Sequence, residues 1–195
     1  MKKVVLASSN PGKLRELREL LAPLDITLAP QSDFDVRDVE ETGGTFVENA
    51  ILKARHAAAV SGLPAIGDDS GLVVDALGGA PGIYSARYAG EGATDKKNLD
   101  HLLRELADVP ESRRSAHFKC LMVYMSHADD PTPVIADGTW AGRILFAPRG
   151  ENGFGYDPVF YVPTHDCSSA ELPSDTKNAL SHRGQAVREL VARLS

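Results

Sequence analysis

Cysteine is scarce, with only Cys120 and Cys167 in 195 residues. A disulfide framework is therefore excluded, and neither residue sits in a CxxC or Cys/His metal spacing, so both read as free thiols. Long apolar runs are missing too. No stretch approaches the roughly 18 residues that span a bilayer, and the run from Val4 to Ala7 is too short for a signal-peptide core. A cytoplasmic protein with no membrane partner is the expectation. Positive charge is in deficit: 21 Lys and Arg against 27 Asp and Glu give a formal charge of -6. Such a field repels nucleic-acid backbones, so no nucleic-acid polymer is expected as a partner and any phosphate must be caught by a local site. With 43% hydrophobic and 25% charged residues, the composition suits one globular domain over residues 1–195. No repeat, low-complexity tract or linker divides it.

Lys3 to Ala7 is a short apolar, β-branched run, followed by the turn-like Ser8-Ser-Asn-Pro-Gly12 and then by leucines at helical spacing. Leu14, Leu17, Leu20 and Leu21 form the expected buried stripe, with Arg15, Glu16, Arg18 and Glu19 facing water. The capping-box pattern Thr45-Phe-Val-Glu48 opens a second helix that runs to about Val60. Pro64 to Val74 reads as two short strands interrupted by Asp68-Asp-Ser-Gly71. Thr94 caps a helix with Leu99, Leu102, Leu103 and Leu106 inward. Ala116–Ser126 and Pro133–Ala141 read as strands, Gly142 restarts a third run through Phe146, and Val159–Val162 is another. A polar loop leads to a closing helix with Ala186, Val187, Leu190, Val191 and Leu194 inward. The expected fold class is α/β, a mixed twisted sheet flanked by helices.

Four segments carry chemistry. In the first, Asn10 can cap a helix, Pro11 suits its first turn and Gly12 allows close approach beside Lys13, so free helix N–H groups and one ammonium make an anion site; a plain strand-to-helix turn is the alternative. The GxxxxGK[ST] spacing of a phosphate-wrapping loop is missing. The second pairs Glu40-Glu41, before the capped helix, with Asp68-Asp69. Carboxylates without His or Cys partners favour a hard cation such as Mg²⁺. Adjacent strand residues point to opposite faces, so one of Asp68 and Asp69 is chemical and the other structural. On the intervening helix Asn49 and Lys53 share a face, aimed at phosphate or simply solvated. The third is Gly150 to Pro158, where glycines expose backbone beside Phe154 and Tyr156, as a base-stacking platform or a hairpin with aromatic plugs. The fourth gathers Lys177 with Ser181-His-Arg183 near a helix start.

Taken in order, Ser8-Ser-Asn-Pro-Gly-Lys13, Glu41-Thr-Gly, Thr45-Phe-Val-Glu-Asn-Ala50, Lys53-Ala54, Asp68-Asp-Ser-Gly-Leu72, Gly79 to Tyr88, Gly153-Phe-Gly-Tyr-Asp-Pro158 and Ser181-His-Arg183 span almost the whole chain. The set resembles the inosine triphosphate pyrophosphatase family, house-cleaning enzymes that hydrolyse dITP, ITP and XTP. The resemblance implies a homodimer whose protomer has a long twisted mixed sheet and two lobes with a central cleft. It further implies that Ser8, Ser9, Asn10, Pro11, Gly12 and Lys13 hold the triphosphate with Lys53. Asp69 matches the proton acceptor, Glu41 and Asp69 the metal positions, and Ser70 a position beside substrate. Phe154, Gly155, Tyr156, Asp157, Lys177, His182 and Arg183 match nucleoside-binding positions. Two departures stand out: Ser9 where many members have glycine, and Ser174-Asp-Thr in place of a more acidic lead into Lys177.

On this reading Mg²⁺ assists attack of water at the α-phosphorus, releasing pyrophosphate and the nucleoside monophosphate. Cationic His182 or Arg183 favours a 6-oxo purine, which accepts where adenine presents an amino donor. Ser70 is a poor nucleophile because no triad surrounds it. The rivals are a Maf-type nucleotide pyrophosphatase, which prefers other nucleotides, and a catalytically silent nucleotide sensor.

Overall fold

A computed structural model describes residues 2–21 and 26–194; residues 1, 22–25 and 195 lie outside that description. A seven-stranded sheet organises the chain in the order β2-β1-β3-β4-β5-β6-β7. Its strands are β1 (Lys2–Ala7), β2 (Ile26–Pro30), β3 (Ala65–Val74), β4 (Ser115–Met125), β5 (Val134–Ile144), β6 (Phe160–Val162) and β7 (Cys167–Ser168). The helices are α1 (Pro11–Leu21), α2 (Phe46–Ser61), α3 (Asp95–Glu105), α4 (Ser174–Leu180) and α5 (His182–Leu194). β1 pairs in parallel with β2 and β3, whereas β6 is antiparallel to β5 and β7. The sheet is therefore mixed, as the alternation of patterns anticipates.

The chain divides into two compact units, Met1–Asp69 with Cys120–Gly138 and Arg183–Ser195, and Ser70–Lys119 with Thr139–His182. In the first, β1 is apolar on both faces because both are covered. Val4 and Leu6 pack with Leu17 and Leu21 of α1 and Val187 and Leu190 of α5, while Val5 and Ala7 pack with Ala57 and Ala58 of α2. α2 starts at Thr45, whose hydroxyl accepts the Glu48 N–H. Its alanines allow an unusually close approach to β3. A Cβ placed on Gly67 would fall 2.1 Å from the carbonyl oxygen of Ala50 and 2.8 Å from the Ala54 nitrogen, so only glycine lets the strand run against the helix backbone. In the second unit Leu99, Leu102 and Leu106 beside α3 join Phe118, Trp140, Tyr156 and Phe160 in one core. Arg114, buried among them, donates to the carbonyls of Leu106, Val109 and Leu145.

Several expectations need correcting. Asp68-Asp-Ser-Gly71 does not interrupt a strand: β3 runs unbroken through it, because the carboxylates find cations and need no turn to reach water. Gly142 does not restart a strand either. β5 continues past it, since Arg143 and Ile144 pair with Tyr161 and Phe160. β2 was not foreseen, and the loop before the last helix contains α4. Glu16 does not face water but is 9% exposed, held by an arginine.

Candidate active site

In the first unit, regular elements bring charged groups together. The Asn10 side chain accepts from the backbone N–H of Gly12 at 2.8 Å and of Lys13 at 3.2 Å, and Ser8 Oγ accepts the Asn10 N–H. This is a cap that answers first-turn donors of α1. The Gly12 and Lys13 donors are therefore not free, as the anion-site reading supposed, but already met by Asn10. Ser9, Asn10 and Pro11 are exposed. Lys13 leaves the loop and places its ammonium 3.3 Å from Asp68 Oδ1 and 3.4 Å from the Asp68 carbonyl.

Asp68 and Asp69 have separate partners, as the alternation of strand side chains requires. Asp68 is fully buried; Arg183 Nε donates to its Oδ2 at 3.0 Å, and Cys120 Sγ lies 3.8 Å from its Oδ1. Burial by itself would raise the Asp68 carboxyl, but the Lys13 and Arg183 charges hold it far below the usual carboxylate range. Arg183 is 2% exposed and also donates to Glu16. Burial opposes its charge, yet the two carboxylates hold its pKa above the ordinary value.

Asp69 faces α2. Lys53 Nζ donates to Asp69 Oδ1 at 2.7 Å and to Glu41 Oε1 at 2.9 Å, and Asn49 Nδ2 donates to Asp69 Oδ2 at 3.4 Å. Burial outweighs the Lys53 attraction and holds the Asp69 carboxyl above its ordinary value. Lys53 is desolvated, but the Asp69 and Glu41 carboxylates raise its pKa nonetheless. Its ammonium already occupies a cation position between two hard oxygen donors. Among the described residues no three His, Cys, Asp or Glu side chains cluster as a ready metal site. Two carboxylates nevertheless fit Mg²⁺, which commonly takes one or two from protein and its remaining oxygens from water and substrate phosphates.

The second unit holds an aromatic segment. The Phe154 N–H donates to Asp157 Oδ2 at 2.9 Å, the Gly155 N–H to Asp95 Oδ2 at 2.8 Å, and the Tyr156 hydroxyl to the Ser85 carbonyl at 2.8 Å. Asp157, 4% exposed, also accepts from Lys177 Nζ at 2.8 Å and Ser169 Oγ at 2.9 Å. Tyr156 is a buried plug whose phenol is pushed well up by burial. Phe154 remains half-exposed, with the Lys177 ammonium 5.0 Å from its ring centroid. His182 stacks on Phe118, centroids 4.7 Å apart and rings 11° from parallel. Ser70 is half-buried on β3.

Sequence reasoning missed Glu16, Cys120, Asp95, Ser85 and Ser169. Glu16 alone left a signal, since it lies three residues after Lys13 and four before Leu20, at the edge of the apolar stripe of α1. The others meet their partners across 12 to 71 residues of chain, a separation that no local pattern reports.

The Ham1 family model matches residues 4–193. The chain belongs to the Ham1 family. Among similar proteins is the dITP/XTP pyrophosphatase of Photorhabdus laumondii, 58% identical over 98% of this chain and 97% of that protein. The dITP/XTP pyrophosphatase of Shigella flexneri is 59% identical over 98% of this chain and 97% of that one. A solved HAM1 protein from Coxiella burnetii superposes with a TM-score of 0.92 at 54% identity, covering all of this chain and 98% of the other. The expected family and the α/β fold class are thereby both borne out.

Proposed function

We propose that this Ham1 protein hydrolyses non-standard purine nucleoside triphosphates, dITP, ITP and XTP or dXTP, to the monophosphate and pyrophosphate, keeping deaminated purines out of nucleic acid. The observation that carries the chemistry is the buried Asp69 carboxylate, held by Lys53 in common with Glu41. An ordinary Asp carboxylate, with pKa near 3.9, is a feeble base toward water. Burial raises Asp69 above that value, and its place beside Glu41 and Lys53 puts it where a water could be oriented. In the proposed step a water oxygen bonds to the α-phosphorus, the bond from that phosphorus to the bridging oxygen of pyrophosphate breaks, and the water proton passes to Asp69.

Glu41 and Asp69 would hold Mg²⁺ together with phosphate oxygens. Bound there, it would supply positive charge against the charge developing on the phosphate. Lys13 and Lys53 stabilise the departing pyrophosphate by exchanging their carboxylate contacts for phosphate, and the Ser8–Lys13 segment lines the triphosphate. Ser70 is assigned a place beside the substrate.

The segment Phe154–Asp157 receives the base. Phe154 is the stacking ring, worth about 1–3 kcal/mol but nearly blind to base identity. Selection falls to donors for the 6-oxo group, assigned to Lys177, His182 and Arg183, of which Arg183 must share its guanidinium with Asp68 and Glu16. The whole span 1–195 acts as one catalytic domain, in a homodimer, and a nucleotide-pool substrate favours a cytoplasmic address.

Pyrophosphate release is the test, measured for ITP, XTP, GTP, ATP and UTP with and without Mg²⁺. The expected outcome is Mg²⁺-dependent release that strongly favours ITP and XTP. Preference for UTP would instead mark a Maf-like activity, and binding of ITP without pyrophosphate release would mark a sensor.

A further inference from the structure

Asn49 belongs to none of the groups assigned above, yet it is wholly buried beside Asp69. Its amide polarity is settled by its neighbours. The Gly43 N–H, which can only donate, meets Asn49 Oδ1 at 2.8 Å, so the other end of the amide, Nδ2, must face Asp69 Oδ2. The contact with Gly43 is built closely. A Cβ on Gly43 would fall 2.7 Å from Asn49 Oδ1 and 2.6 Å from the Glu48 Cβ, so a side chain there would push the Glu41-bearing segment off the start of α2.

Asp69 thus has one oxygen held by a cation and the other by a neutral amide, from α2 residues four apart. The two holds differ in permanence. Lys53 is long and partly exposed, and it is the donor that a triphosphate would draw away. Asn49 is short, 0% exposed and anchored at its far end. At 3.4 Å its bond is long and adds direction more than charge.

We propose that Asn49 is a positioning residue for the reaction: anchored on the Gly43 backbone, it fixes the plane of the Asp69 carboxylate while Lys53 turns to the substrate. This rests on Asp69 being the proton acceptor, and Asp69→Asn tests that separately. Asn49→Asp keeps an acceptor for the Gly43 N–H but removes the donor to Asp69; Asn49→Ser removes the reach to Asp69 without adding charge.

The readouts are kcat and KM for ITP, together with the thermal midpoint and its upward shift on adding ITP. The expected result is a fall in kcat of about 10- to 100-fold in both variants, the scale of one hydrogen bond to a charged group. KM should stay within about 3-fold, with the ITP-induced thermal shift retained, because the amide acts on the reacting carboxylate rather than on binding. Wild-type kcat in Asn49→Asp with a loss only in Asn49→Ser would mean that the amide merely anchors Gly43, and would overturn the inference. A loss confined to KM, or to the midpoint with normal turnover, would overturn it equally. If Asp69→Asn itself turned over normally, the reading of Asp69 would fall, whatever the Asn49 variants did.

Discussion

In the first unit the clustered polar side chains hang from regular elements: Lys13 and Glu16 from α1, Asn49 and Lys53 from α2, Asp68 and Asp69 from β3, Arg183 from α5. In the second, Phe154, Gly155 and Tyr156 sit on irregular backbone, tied down bond by bond to Asp157, Asp95 and Ser85. The first cluster is made of charges whose burial is tolerated only because they are paired. The second is made of rings and amides around the ion pair of Asp157 with Lys177. Charges that are proposed to meet a triphosphate within hydrogen-bond reach need elements that hold their separations. A stacking ring needs only to lie flat against its ligand, which a short anchored loop achieves. On the proposed function, the difference puts regular elements where bonds would break and an anchored loop where the base would rest.

The largest expected effect strikes at the rigid side. Asp69→Asn should lower ITP turnover by about 10³-fold or more, as loss of an essential proton acceptor does, while ITP still raises the thermal midpoint. A variant with normal turnover would make the charged cluster structural and dissolve the contrast.

Next comes Arg183→Ala, which takes the guanidinium away from Asp68 and Glu16. Breaking a buried pair costs about 3–5 kcal/mol, measurable as a lower urea midpoint at neutral pH. The pH dependence follows from Asp68, whose carboxyl is depressed in the folded protein. Its contribution is fully present above the unfolded value near 3.9 and is lost as pH falls below that toward the folded value. The stability gap between wild type and Arg183→Ala should therefore be wide at pH 7 and narrow below about pH 4. A gap that stays constant with pH would mean that Asp68 is not what Arg183 holds. The same variant should narrow the ratio of dITP to dATP hydrolysis if the guanidinium also reads the base.

Smallest is Phe154→Ala on the loop side. Losing a stacking ring worth about 1–3 kcal/mol should raise KM roughly 5- to 150-fold for ITP and XTP alike, with kcat nearly unchanged. A fall in kcat instead of a rise in KM would show that the loop, too, is held for chemistry.

Local signals were legible wherever local physics decided the outcome. Thr45 and Thr94 start their helices as hydroxyl caps, the run after Lys3 is the covered strand β1, and Ala186, Val187 and Leu190 are the buried stripe of α5. The spacing of Asn49 and Lys53 placed both on one face, and both do meet Asp69. By contrast, Asp68-Asp-Ser-Gly71 has the composition of a turn, and nothing near it in the chain says otherwise. Lys13, Arg183 and Lys53, which make it a strand, come from 55, 115 and 16 residues away. Glu16 likewise looks solvated until Arg183 arrives from 167 residues on.

What the sequence determined by itself was therefore the alternation of strands and helices, their caps and their apolar faces, along with a set of ordered segments specific enough to mark the family. These depend on residues within a turn or two of each other, where spacing alone dictates which side chains share a face. Tertiary structure alone decided which carboxylate is buried against Arg183 and which against Lys53, and that Gly67 lets α2 close on β3. The cost of burying a charge is lifted only by an opposite charge within a few ångströms, and that distance is set by packing rather than by position along the chain.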